Sequence, residues 1–268
     1  MSNPHEEHDA RASRADVDDV ADAAIGVDTR IFRTLWDTFI HTPRVVEAAF
    51  AGDRDKYVPI IRLFLVLFGA LFAIMAFAGL PIGMSLESLE TAPDTTEAIR
   101  VWLEQGGQTR ESVDLTLERL SQLTTTPIMF LGTLPFLLLL KLYRPSRSLF
   151  GHLLAFLAAT NSSYLVLFPF FIPMLFGYVE ITFLLGMAVS LVWYFGITAR
   201  LLHRFYTSKA WVVALYTGGL ILAFPVMIIL TVIAQYGLAE FALRTFHDLS
   251  IFDLFMIDPG IAPEDTSP

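Results

Sequence analysis

The sequence predicts an all-α, polytopic membrane helix bundle with about five transmembrane helices, amphipathic interfacial helices and a small helical outer loop. Three observations predict it. Hydrophobic residues make up 54% of the chain and charged residues 17%, against roughly 25% charged in an ordinary soluble domain. The charges are also segregated: residues 63–82 carry none, and in residues 148–199 the only one, histidine aside, is Glu180. Finally, Lys and Arg collect in alternate connections between the apolar stretches, as the positive-inside rule requires of a multi-pass protein.

The elements follow in order. Residues 1–28 hold eight acids, two arginines and almost no large apolar side chains, too little burial to offset the entropy of ordering, so a disordered acidic tail is expected. No basic n-region precedes an apolar run, and the first span is expected to act as its own insertion signal. In residues 29–57 the apolar Ile31, Phe32, Leu35, Trp36, Phe39 and Ile40 gather on one helical face, with Arg30, Arg33, Thr34 and Asp37 on the other. Thr42 before Pro43 reads as an N-cap and first-turn proline opening a second helix. These are cytoplasmic interfacial helices, and two readings of the first stay open: it lies on lipid, or it packs on the protein's own face.

Residues 58–238 are read as the transmembrane domain. The first span, 63–82, is twenty residues, about the length that crosses a 30 Å hydrocarbon core, and Arg62 snorkels at its start. Residues 84–125 form an acidic extracytoplasmic loop of two amphipathic helices separated at Gly106 and Gly107. The second span is placed at 123–140 around Pro135. The third lies at 149–171 and the fourth at 179–200, with Pro169, Pro173 and Gly177 turning the chain between them. The fifth falls within 210–238, kinked at Pro225. Residues 239–268 are expected to be an extracytoplasmic amphipathic helix and a loose tail. Gly186 with Ser190, and Gly218 with Gly219, are small pairs suited to close helix packing.

Orientation comes from the basic connections. Arg44, Arg54, Lys56 and Arg62 precede the first span; Lys141, Arg144 and Arg147 follow the second; Arg200, Arg204 and Lys209 follow the fourth. The N-terminus is therefore expected in the cytoplasm and the C-terminus outside.

Sites are sparse. Thr160, Asn161, Ser162 and Ser163 are the most polar cluster at membrane depth, and an amide in hydrocarbon needs a partner. They line a polar cavity or join helices, and joining is the commoner role. His152 stands at the cytoplasmic end of the same span. Glu180 falls at the outer mouth of the fourth, and at greater depth it would be a functional carboxylate. With no cysteine, no histidine pair at ligand spacing, no nucleophile elbow and no phosphate loop, neither a metal, a cofactor nor an enzymatic activity is expected. A net charge of −9 argues against a nucleic-acid partner.

The run Gly52, Asp53, Arg54, Asp55, Lys56 and Tyr57, with Pro59 and Arg62 through Leu65 after it and Thr38 through Pro43 before it, resembles an uncharacterised bacterial inner-membrane family. That family has a Gly-x-Arg-x-x-Tyr signature before its first span and a histidine opening a later one, which His152 matches. The resemblance covers about residues 30–235. It departs in the cysteine-rich leading segment many members carry, in the spacing of Pro59, and at Ala158, where a second histidine often stands. It implies topology and no activity. Physically, Arg54, Lys56, Arg62 and Tyr57 supply charge and an aromatic ring for lipid headgroups. The partners expected are thus the bilayer and a second membrane protein or a second copy, in a non-enzymatic scaffold or accessory subunit. The alternative is a small transporter or lipid-handling protein with a polar site at Asn161 and Ser163.

Overall fold

The computed structural model describes residues 30–53, 55–78, 84–90, 93–174 and 178–256. The acidic tail, Arg54, the Glu180 side chain and the last twelve residues lie outside them, as does the turn expected at Gly177. The described residues form helices and no strands. Five helical stretches among them are long and apolar enough to cross a membrane: Ile60–Phe77, Arg110–Tyr143, Leu149–Met174, Ile181–Phe205 and Ala210–His247. The chain divides into two compact units, one of residues 1–71 and 140–218, the other of 72–139 and 219–268. The expected single transmembrane domain is thus shared between two packing units.

In the first unit, α1 (Arg30–Ile40) and α2 (Thr42–Ala51) lead into α3 (Ile60–Phe77). Pro43 sits in the first turn of α2, but the cap position belongs to His41, which makes no side-chain cap. The expected Thr42 cap is corrected: its Oγ1 donates back to the Thr38 carbonyl at 2.7 Å, a bond a helical hydroxyl reaches more easily than the next turn's amides. Gly52 ends α2 at φ 73°, a left-handed conformation that costs glycine no Cβ clash.

The core of this unit is α8 (Leu149–Leu167), opened by Ser148, whose Oγ accepts from the Gly151 amide at 3.1 Å. Half of the apolar window of Leu149–Met174 is buried, against 11% for Ala210–His247, which makes α8 central. Helices α1, α2 and α10 (Val179–Phe205) all pack on it. A 3-10 turn, Phe168–Phe170, follows α8 and leads to the short α9 (Phe171–Met174), where Pro169 breaks the α-helical ladder. At Gly186 of α10 an added Cβ would stand 2.8 Å from the Phe170 Cβ, so only glycine allows that approach. At Gly218, by contrast, an added Cβ meets nothing within 4 Å, so that glycine makes no close approach among the described residues.

The second unit holds α4 (Leu86–Leu89), α5 (Pro93–Gln105), α6 (Arg110–Gly132) and α12 (Ile251–Leu254), with the parts of α7 (Leu134–Tyr143) and α11 (Ala210–His247) that fall in its range. The expected break at Gly106 and Gly107 is present. Two other boundaries are corrected. The outer amphipathic helix at 113–123 is continuous with the second span, because α6 starts at Arg110 under a Thr109 cap and runs through Pro127 to Gly132. Likewise the segment from residue 239 is no separate helix: α11 passes through Pro225 to His247 without interruption. Its 38 residues measure about 57 Å at 1.5 Å per residue, well beyond a hydrocarbon core of about 30 Å.

That surplus length is used. Trp102 and Ile99 of α5, Leu117 and Val113 of α6, Leu243 of α11 and Ile251 of α12 form one buried cluster. The Trp102 indole donates to the Ser250 carbonyl at 3.0 Å. Glu240 accepts from the Ile251 amide at 2.7 Å and the Ser250 hydroxyl at 3.0 Å, satisfying the N-terminus of α12. His247 lies 2.8 Å from Thr116 Oγ1 and 3.0 Å from Gln108 Oε1. Trp102→Ala should destabilise this unit by about 3–5 kcal/mol. Limited proteolysis within residues 84–109 should then quicken in the variant and stay slow in the parent chain.

Candidate functional site

The polar cluster of the third span sits inside the first unit, and each member has a geometry that can be stated. Asn161 is fully buried, and its Nδ2 donates to the Ile60 carbonyl, the first residue of α3, at 3.1 Å. Ser162 Oγ accepts from the Trp193 indole of α10 at 2.9 Å. Ser163 Oγ donates to the Ser190 carbonyl, also of α10, at 2.9 Å. Thr160 donates within its own helix, to the Phe156 carbonyl at 3.1 Å. Three consecutive side chains therefore reach two different helices. The one loose end is Asn161 Oδ1, which is buried with no hydrogen-bond partner.

The same unit binds α1 through a polar face. Thr34 and Thr38 are buried while Phe32 and Trp36 are 68% and 63% exposed, so much of the apolar face of α1 points away from the protein. Thr34 Oγ1 donates to the Arg30 carbonyl at 2.6 Å and accepts from the Val58 amide at 3.0 Å. Asp37 accepts from the Tyr57 hydroxyl at 2.6 Å. Phe39 is the exception on the apolar side, stacking on Trp193 at 5.3 Å between ring centroids. Helix α1 thus packs on protein through its threonines rather than through its whole apolar side, and Phe32 and Trp36 face outward.

These contacts correct the expected headgroup role of Tyr57. The ring is 4% exposed and its hydroxyl is taken by Asp37, so no headgroup reaches it. Burial, and then the hydrogen bond to the Asp37 carboxylate, push its pKa up from 10.0 to about 12. Lys56 stays exposed, its ammonium 5.2 Å from the Tyr57 ring centre, and Arg62 is exposed at the start of α3.

His152 is fully buried inside the first unit. Its Nδ1 lies 2.5 Å from the Tyr206 hydroxyl, a residue 54 positions later. Beside them Arg147 lies over three rings, 4.3 Å from the centre of Phe50, 5.4 Å from Phe205 and 5.7 Å from Tyr206. Burial lowers the Arg147 pKa and raises that of Tyr206 to about 12. The rings' negative faces hold the guanidinium where hydrogen-bond acceptors are scarce; its Nη1 has no hydrogen-bond partner. Sequence reasoning missed Arg147, Tyr206, Asp37 and Trp193 as partners, because each meets its counterpart only through the fold. The aromatic residues flanking two basic turns were the one available signal.

Among the described residues no group of three or more His, Asp or Glu side chains is placed to hold a metal ion. The chain matches no family model, no curated protein and no solved structure. The resemblance carried by Gly52 through Tyr57, with Pro59, Arg62 through Leu65, Thr38 through Pro43 and His152, therefore rests on those residues alone.

Tyr57→Phe removes a bond to a carboxylate and should cost about 1.5–3 kcal/mol, read as a lower thermal midpoint in detergent. Because the folded chain holds the Tyr57 proton more tightly than an unfolded one, that part of the stability is complete below pH 10 and is lost as the pH rises through about 12. The midpoint gap between parent and variant should accordingly narrow over that window.

Proposed function

We propose that this chain is a non-enzymatic scaffold or accessory subunit of a membrane complex, lying in a bacterial inner membrane with its N-terminus in the cytoplasm. The observation that carries the reading is in the second unit. Phe241, Phe246, Phe252, Phe255 and Met256 are all more than half exposed on and just after a helix too long for the bilayer, next to a core that is already filled. Exposed apolar side chains in such numbers mark contact surfaces, and a folded acidic head gives them a fixed geometry. Charge supports the orientation: the described residues of the first unit hold eleven Lys and Arg against five Asp and Glu, the bias expected of cytoplasmic connections.

The transporter reading has less behind it. Ser162 and Ser163 spend their hydroxyls on α10 and Asn161 its amide on α3, which is how polar residues act as ties between helices. Five spans without an inverted repeat also lack the usual architecture of alternating access.

The full chain, recovered from its native membrane in several mild detergents, should carry one other membrane protein or a second copy at fixed stoichiometry. Phe252→Asp with Phe255→Asp should reduce that recovery at least tenfold while leaving the unfolding free energy within about 0.5 kcal/mol of the parent, since both sites are exposed. A chain that is monomeric and alone in every detergent contradicts the proposal, and so does recovery indifferent to the double substitution.

A further inference from the structure

We infer that α10 carries a binding groove for an acyl chain of an anionic phospholipid, with Arg200 at its headgroup end. The groove has a volume of about 470 Å³. Ala188, Val189, Val192 and Gly196 form its floor along one side of α10, Trp193 stands at its edge, and Arg200 closes it. Apart from that guanidinium the described residues lining it are apolar or aromatic.

Dimensions fit one leaflet. From Ala188 to Arg200 the helix rises about 18 Å, and half of a hydrocarbon core of about 30 Å is about 15 Å. A chain laid along the floor would begin near the bilayer centre and end beside Arg200. That residue lies about 7.5 Å before the end of α10 at Phe205, a depth from which arginine reaches the headgroups.

Charge selects the headgroup. Arg200 is exposed and pairs with no described acid, whereas Arg204, one turn on, is held by Glu47 at 2.5 Å. An exposed guanidinium with no described carboxylate partner favours a phosphate bearing a net negative charge. A transmembrane helix in the same place would have to bring its own carboxylate or leave Arg200 uncompensated. The edge of the groove is preformed, since Trp193 is fixed by its bond to Ser162 and its stacking on Phe39, so a lipid need not order it. The floor is open, because a Cβ added at Gly196 meets no atom within 4 Å.

That opening supplies the test. Gly196→Leu puts a side chain into the groove at a position where a Cβ meets no atom, and leucine is a better helix former than glycine, so the variant should fold. The full-length protein is equilibrated in detergent with phosphatidylglycerol or with phosphatidylcholine, and retained lipid is counted by native mass spectrometry. The parent should retain about one phosphatidylglycerol and less phosphatidylcholine. Gly196→Leu should lose both with its thermal midpoint unchanged. Arg200→Gln should weaken phosphatidylglycerol about fivefold and leave phosphatidylcholine as it was, while Lys209→Gln, an exposed basic residue outside the groove, should change neither. Retention unaffected by Gly196→Leu and Arg200→Gln overturns the inference, as does an equal loss in Lys209→Gln, which would mean diffuse attraction. The chain has no cysteine, so a single Val192→Cys probe also reads the occupant. Its crosslinking to another polypeptide, with no lipid retained by the parent, would assign the groove to a helix.

Discussion

Hydrocarbon offers no hydrogen bonds, and each amide, hydroxyl or indole carried into it must find its partner within the protein. The first unit is arranged around that requirement. Helix α8 is buried on most sides and carries three adjacent polar side chains, and these reach α3 through Asn161 and α10 through Ser162 and Ser163. Apolar packing cannot select those neighbours by itself, because lipid tails are as apolar as the helix surfaces. Small residues at Ala155, Ala158 and Ala159, all buried, let the backbones come close enough for short side chains to span the gap. The serine bond also fixes Trp193, which anchors Phe39 of α1 and forms the edge of the groove on α10.

The charges are sorted between the two units. In the second unit the described residues hold four arginines against eleven acids, the reverse of the first. Several of those acids have local work: Glu90 takes both ends of the Arg110 guanidinium, Asp114 accepts from the Leu86 amide at 2.8 Å, and Glu240 caps α12. These carboxylates organise a small helical head whose core comes from the extended ends of apolar helices. The head is thus a product of helix length as much as of loop sequence. Among the described residues of the first unit, Arg204 is engaged by a carboxylate and Arg147 by aromatic rings, and Arg200 by neither.

Much of the fold was legible in the sequence because span length and charge segregation are strong, local signals. The third and fourth spans could be separated inside fifty-two apolar residues because Pro169 and Pro173 cannot continue a helix ladder. Helix ends were less legible. The pattern of Val113, Leu117 and Leu120 keeps its period into the second span, and nothing in a continuous helical period marks where water gives way to lipid. Helix α1 shows the limit most clearly. Its apolar side reads as a face for lipid or for protein, yet Thr34 and Thr38 face the protein, where Thr34 meets the Val58 amide and the adjacent Asp37 meets the Tyr57 hydroxyl, partners some twenty residues away. Asn161 was identifiable as a residue needing a partner, but not that the partner is the backbone of Ile60.

The central claim is that the polar residues of α8 are ties between helices. A double-mutant cycle on Ser162→Ala and Trp193→Phe, followed by reversible unfolding in mixed micelles, isolates one such tie from the packing around it. A favourable coupling of about 0.6 kcal/mol, and no more than about 1.7, is the predicted result, the range found for hydrogen bonds between membrane helices. Strict additivity of the two substitutions would contradict the account.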